Sequence, residues 1–256
     1  MAKRASTTRR DFVVGTLGTL TGAAIGCGGS DSTGNTATGG SGGTGTGGTG
    51  GSAGGGAGTG GVAGAGGGGA CTVYPQEIEG PFYQDLDLLR SDIREDRQGT
   101  ETHLEITVIR ASDCTPIADV TVDVWQCDAV GVYSGFTGQL GGVDTTGMKW
   151  LRGSQITDPA GIVKFITIYP GWYPGRTTHI HFKVHFTPTT ESTSQMYFPE
   201  DITSTVYTTG VYAARGQKDT SNDADAFAHE GGFPGLVVVT PSATGYVAKL
   251  TIVVAA

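Results

Sequence analysis

Cysteine is scarce in this chain of 256 residues. There are four, Cys27, Cys71, Cys114 and Cys127, and no two stand in a C-x-x-C spacing. That removes thiolate zinc sites and haem attachment from consideration. Basic charge is short as well: 16 Lys and Arg face 24 Asp and Glu, for a net charge of −8. No stretch gathers the basic residues into a stripe, which argues against nucleic acid as a partner. Long apolar runs are missing too. The longest candidate, Phe12 to Ile25, falls short of the roughly 20 apolar residues that a membrane-spanning helix needs. Helical periodicity is sparse after residue 71, and no internal repeat is visible.

What is present begins with an export signal. The opening "MAKRASTTRRDFVVGTLGTLTGAAIGC" runs from basic start to short apolar core to small residues, the order of a segment that is removed. Thr8-Arg9-Arg10-Asp11-Phe12 resembles a twin-arginine signal, whose pathway carries folded proteins. Ala24-Ile25-Gly26-Cys27 resembles a lipobox, in which Cys27 becomes a lipidated first residue. These features assign 1–27 to a signal and place the protein outside the cytoplasm, periplasmic or at the cell surface, either anchored through a lipidated Cys27 or cleaved nearby with Cys27 lost. From 28 to 70 the chain is almost entirely Gly, Thr, Ser and Ala, with Asp31 as its only charge. It cannot bury enough apolar surface to offset its ordering entropy and reads as a tether. One domain remains, 71–256, long enough for a well-buried core.

In an oxidising compartment the three cysteines of that domain imply one disulfide and one leftover thiol. Cys71 and Cys114 lie in loop-like sequence, whereas Cys127 belongs to an apolar strand, so Cys71 with Cys114 is the expected pair. Strand signals recur at Leu104 to Arg110, Val120 to Cys127, Ile162 to Ile168, His179 to Phe186, Leu236 to Thr240 and Tyr246 to Val254. Six short strands and few helices predict a mainly β protein, a two-sheet β-sandwich. Long stretches between strands, 134–155 and 188–235, are more than a scaffold requires and point to functional loops.

The stretch "YPGWYPGRTTHIHF", 169–182, is the richest in chemistry. Residues two apart on a strand share a face, so His179 and His181 stand together while Ile180, Phe182, Val184 and Phe186 form the opposite, apolar side. Two imidazoles so placed can converge on one metal, or be structural. The glycine and glutamate of a cupin site are missing, and no carboxylate completes a 2-His-1-carboxylate set. Tyr133, Tyr169 and Tyr173 are nearby instead. Phenolate is a hard anionic donor that favours ferric iron.

Five motifs in order then carry a resemblance: "EGPFY" at 79–83, "VDVWQCDAVGVYSGF" at 122–136, "LRGSQITDPAG" at 151–161, "TIYPGWYPGRTTHIHF" at 167–182 and "SQMYF" at 194–198. Together they resemble the intradiol ring-cleavage dioxygenases, the family of protocatechuate 3,4-dioxygenase and catechol 1,2-dioxygenase. The resemblance implies a non-haem Fe(III) cofactor held by Tyr133, Tyr173, His179 and His181. It implies a catechol-type aromatic diol and O2 as substrates and a muconate-type diacid as product. By the same resemblance Tyr173 gives way when the diol enters and Tyr133 stays. Arg176 stabilises the electron-rich substrate, and Gln195 hydrogen-bonds behind it. Tyr169 becomes a packing residue, and Phe82 and Tyr83 wall the site. The resemblance weakens after Phe198, and the family's helical dimerisation segment is replaced by the tether, so oligomeric state does not carry over. The alternative reading is a surface-anchored, noncatalytic β-sandwich that keeps the scaffold.

Overall fold

The computed structural model describes residues 71–256 apart from 188, 189 and 231. The signal, lipobox and tether readings fall outside the described residues. Eight strands form two four-stranded sheets. One has the order β4-β1-β8-β7, built from β1 (Glu101–Arg110), β4 (Ile162–Ile168), β7 (Val238–Pro241) and β8 (Gly245–Val254). The other has the order β3-β2-β5-β6, built from β2 (Thr121–Trp125), β3 (Arg152–Ile156), β5 (His179–Thr187) and β6 (Thr190–Tyr197). Pairing is antiparallel except between β1 and β8, which run parallel. This is the expected two-sheet sandwich.

Alternation explains the core. Leu104, Ile106 and Val108 of β1, with Val163 and Phe165 of β4 and Ala248 and Ile252 of β8, belong to one apolar cluster with Val122, Val124, Ile180, Phe182 and Val184 of the other sheet. All are buried, at about 25 cal/mol for each Å² of apolar surface withdrawn from water. Cys71 and Cys114 form a disulfide, and Cys127 is a buried free thiol.

Two strands lie where the sequence suggested loop. β3 and β6 are polar on both faces, reading "RGSQI" and "TESTSQMY", so neither shows the alternation that marks a half-buried strand. A short helix, α1 (Glu200–Val206), follows β6 within the same stretch. No helix of the described residues is long and apolar enough to cross a membrane.

Candidate metal centre

Register builds the site. Across the second sheet Arg152 pairs with Trp125, Trp125 with His181, and His181 with Gln195. Paired residues point to the same side, so these four form one row across four strands. His179, paired with Tyr197, stands beside that row on β5. The face that carries them lies opposite the sandwich core, yet His179 and His181 are each only 2% exposed. Connecting segments cover it. The strap before β1 crosses β6 through Glu77 N–H to Thr193 O, Ser194 Oγ to Pro75 O and Tyr74 Oη to Gln195 O.

Two further segments supply the tyrosines. Tyr133 follows β2 and is completely buried. Its backbone is pinned on both sides, since its N–H donates to Gln139 Oε1 and its carbonyl accepts from Gln139 Nε2 and Thr145 Oγ1. Tyr173 sits in the turn before β5 and is only half-buried, followed by the exposed Pro174 and Gly175. Glycine brings the two segments together. A Cβ on Gly131, whose φ is +90°, would stand 2.0 Å from Trp172 O, and one on Gly171 would meet Asp128 O at 2.3 Å.

The four side chains converge. Tyr133 Oη lies 3.3 Å and Tyr173 Oη 3.2 Å from the same atom, His179 Nε2. His179 Nδ1 donates to Thr177 O at 2.6 Å, which fixes the tautomer and leaves the Nε2 lone pair facing both phenols. The His179 and His181 rings stand edge to face, 4.8 Å between centroids, and Trp125 stacks on His181 at 5.0 Å. Phe82 stacks on Tyr133 at 4.4 Å and meets Tyr173 edge-on.

Burial sets the protonation. Both imidazoles are held well below the ordinary histidine range by desolvation, with Arg176 adding to the effect on each, so both are neutral. Desolvation drives the Tyr133 phenol far up and Tyr173 to about 12, the latter against the pull of Arg176. Among the described residues no three His, Cys, Asp or Glu side chains gather as a metal cage. The donor set here is two neutral imidazoles and two phenols. That set fits a hard, multiply charged cation, which would take the phenols as phenolates; it fits iron(III) better than softer divalent ions.

Arg176 and Gln195 belong to the same cluster. Arg176 Nη1 donates to Tyr173 Oη at 3.3 Å and Nη2 to Gln195 Oε1. Tyr169 is apart from it, buried with its hydroxyl on Thr203 Oγ1. Tyr83 leans on Trp125 and donates to Asp123, which also receives His185 Nε2 at 2.9 Å.

Three residues the sequence reading did not single out are part of this structure. Arg152 binds Ser134 Oγ, Ser134 O and Phe82 O, joining the Tyr133 segment to the strap; burial lowers it to about 10, so it stays cationic at neutral pH. Asp225 binds Arg176. Glu77 is a buried residue of the strap itself, accepting from Tyr197 Oη at 2.7 Å while its Oε1 has no partner among the described residues. Arg152 lay within a quoted motif; nothing local distinguishes Asp225 or Glu77 from surface acids.

A family model described as dioxygenase matches residues 78–230. The chain belongs to the intradiol dioxygenase family. The match runs past Phe198, so the relationship extends beyond the last legible motif. An intradiol ring-cleavage dioxygenase from Tetranychus urticae superposes with a TM-score of 0.67 at 28% identity, over 72% of this chain and 94% of that one. The dioxygenase domain of a carbohydrate-binding fusion from Streptomyces sp. SirexAA-E gives 0.53 at 26% identity, over 72% and 98%. A chlorocatechol 1,2-dioxygenase from Cupriavidus pinatubonensis is 29% identical over 142 residues, 47% of this chain and 53% of the relative. The chain thus spans about half the length of the curated relatives it matches.

Proposed function

We propose that this intradiol dioxygenase relative is a non-haem iron(III) enzyme that cleaves a catechol-type ring between its two hydroxyl-bearing carbons, giving a muconate-type diacid. The observation that carries the reading is the convergence of Tyr133 and Tyr173 on the lone-pair nitrogen of His179, with His181 beside it. Tyr133, Tyr173, His179 and His181 would hold the iron. Bound there, ferric iron would act as a Lewis acid that activates the diol toward O2.

The chain's own residues divide the remaining work. Tyr133, enclosed and pinned through its backbone, is the fixed donor. Tyr173, half-buried and flanked by an exposed turn, is the side chain with room to move, and as the phenolate that bound ferric iron would stabilise, its Oη would take a proton from an incoming hydroxyl. Arg176 Nη1 already reaches that Oη and would serve an anionic substrate oxygen arriving there. Gln195 accepts from Nη2 and keeps the guanidinium plane in place. Phe82 and Phe136, ring centroids 5.2 Å apart, and the covering strap exclude water from the Tyr133 side. The opening sequence adds that the enzyme is exported and lipid-anchored through Cys27, which suits a role in breaking down aromatic compounds outside the cytoplasm.

Oxygen uptake should accompany addition of catechol, protocatechuate, hydroxyquinol or a substituted catechol to the iron-loaded protein, with a ring-opened diacid as product. A loaded protein that consumes no oxygen with any of them would favour the noncatalytic alternative.

A further inference from the structure

The Arg176 guanidinium is engaged on three sides. Nε lies 2.9 and 3.1 Å from the two oxygens of Asp225, Nη2 is on Gln195 Oε1, and Nη1 is on the Tyr173 hydroxyl at 3.3 Å. Both partners of the ion pair are buried, with side chains 8% and 0% exposed. Asp225 also binds the surrounding chain. Its Oδ2 accepts from the Thr177 N–H at 2.8 Å, two residues before His179. Its Oδ1 accepts from the Phe227 N–H at 3.0 Å, and the ring of Phe227 lies 4.8 Å from the guanidinium carbon. One carboxylate therefore ties together the arginine, the approach to β5 and the turn that carries Phe227.

We propose that Asp225 is a positioning residue of the active site, orienting Arg176 so that only Nη1 is left to meet a substrate oxygen arriving at Tyr173 Oη. The proposal rests on the diol-cleaving reading above. An unrestrained guanidinium offers five N–H donors on a flexible stem; with Nε–H on Asp225 and one Nη2–H on Gln195 its plane is fixed and Nη1 is the nitrogen turned toward Tyr173 Oη. A donor already aimed where charge develops needs no reorganisation during the reaction, and misplacing such a group by 1 Å can cost about 100-fold. The segment after β6, connected to the site through this carboxylate 49 residues from its partner, is thereby part of the catalytic apparatus.

The test uses the full, iron-loaded chain and the variants Asp225→Asn, Arg176→Gln and the two combined. Asp225→Asn should lower kcat by about 10- to 100-fold, on the scale expected for a displaced donor, with little change in KM for catechol. The double variant should be no slower than Arg176→Gln alone, because the aspartate acts through the arginine. Asp225→Glu, which keeps the charge but moves the carboxylate by one methylene, should show the same non-additivity and replaces the Asn variant if that one does not fold. Normal kcat in either variant, or losses that multiply in the double variant, would overturn the proposal. A second readout does not depend on turnover. In protein loaded with diamagnetic gallium(III) in place of iron, which would broaden signals this close to the site, the Arg176 Nε–H should give an exchange-protected NMR resonance that disappears in Asp225→Asn. Were the parent protein inactive toward catechols, the functional reading would fall while this resonance still decided the role of Asp225. An unprotected Nε–H in the parent protein would count against the ion pair itself.

Discussion

Two tyrosines with the same phenol differ in what surrounds them. Tyr133 is fully enclosed and its backbone is bound by Gln139 and Thr145, whereas Tyr173 is half-buried beside an exposed turn. Tyr133→Phe should therefore cost more iron per chain than Tyr173→Phe when both are measured by atomic emission after identical loading. Glu77 offers a test independent of metal. Burial outweighs its hydrogen bond from Tyr197 and raises its carboxyl from 4.5 to about 7. An acid whose folded pKa lies above its unfolded one adds stability that is complete below the unfolded pKa and is lost as pH rises through the folded one. Its contribution is thus present at pH 4, declines between about 4.5 and 7, and is absent at pH 8. Gln mimics the protonated form, so Glu77→Gln should match the parent at pH 4 and exceed it by about 2 kcal/mol at pH 8 in denaturant unfolding, the shift being discounted for residual solvent. A variant no more stable than the parent at pH 8 would contradict that account. At this scale the ligand candidates were legible because they sit in short motifs with strand parity. Glu77 and Asp225 were not, because their roles come from partners 120 and 49 residues away.

Strand β5 does two jobs with one alternation. Its even-numbered residues, Ile180, Phe182 and Val184, fill the core, and its odd-numbered ones, His179 and His181, face the site. That division was readable in the sequence, although the expected display of two imidazoles became a buried pair once the strap and connecting segments covered them. The neighbouring strands were harder to see. β6 places Gln195 beside His181, but Ser192, Ser194 and Thr193 give it no apolar face, and only pairing with β5 makes it a strand. The contact between the Tyr133 segment and the Tyr173 turn depends on glycine. At Gly131 a side chain would need a left-handed φ and would run into Trp172 O. Gly131→Ala should destabilise the fold by more than about 2 kcal/mol, combining the φ penalty with a backbone clash, and should reduce iron retention, measured by urea unfolding and metal analysis. Unchanged stability would show that the two segments can separate without consequence.

Across the described domain, the sandwich and the Cys71–Cys114 pair follow from alternation and from which cysteines lie outside apolar strands. The parallel β1–β8 pairing does not, because it joins segments more than 140 residues apart with no local signature. The disulfide closes a sequence separation of 43 residues. In chain-entropy terms such a crosslink contributes about 4 kcal/mol. Cys71→Ser with Cys114→Ser should lower stability by about 2 to 4 kcal/mol while leaving the visible spectrum of the iron-loaded protein unchanged, since the bridge sits at the end of β1, in the other sheet from His179 and His181. A colour change in that variant would link the bridge to the site.

The most direct test of the central claim is the visible spectrum of the purified, iron-loaded protein before and after catechol is added without oxygen. A ferric site of two tyrosines and two histidines should give roughly one iron per chain and a broad tyrosinate-to-iron band that shifts when catechol binds. A colourless protein carrying stoichiometric zinc, or an iron band indifferent to catechol, would contradict it.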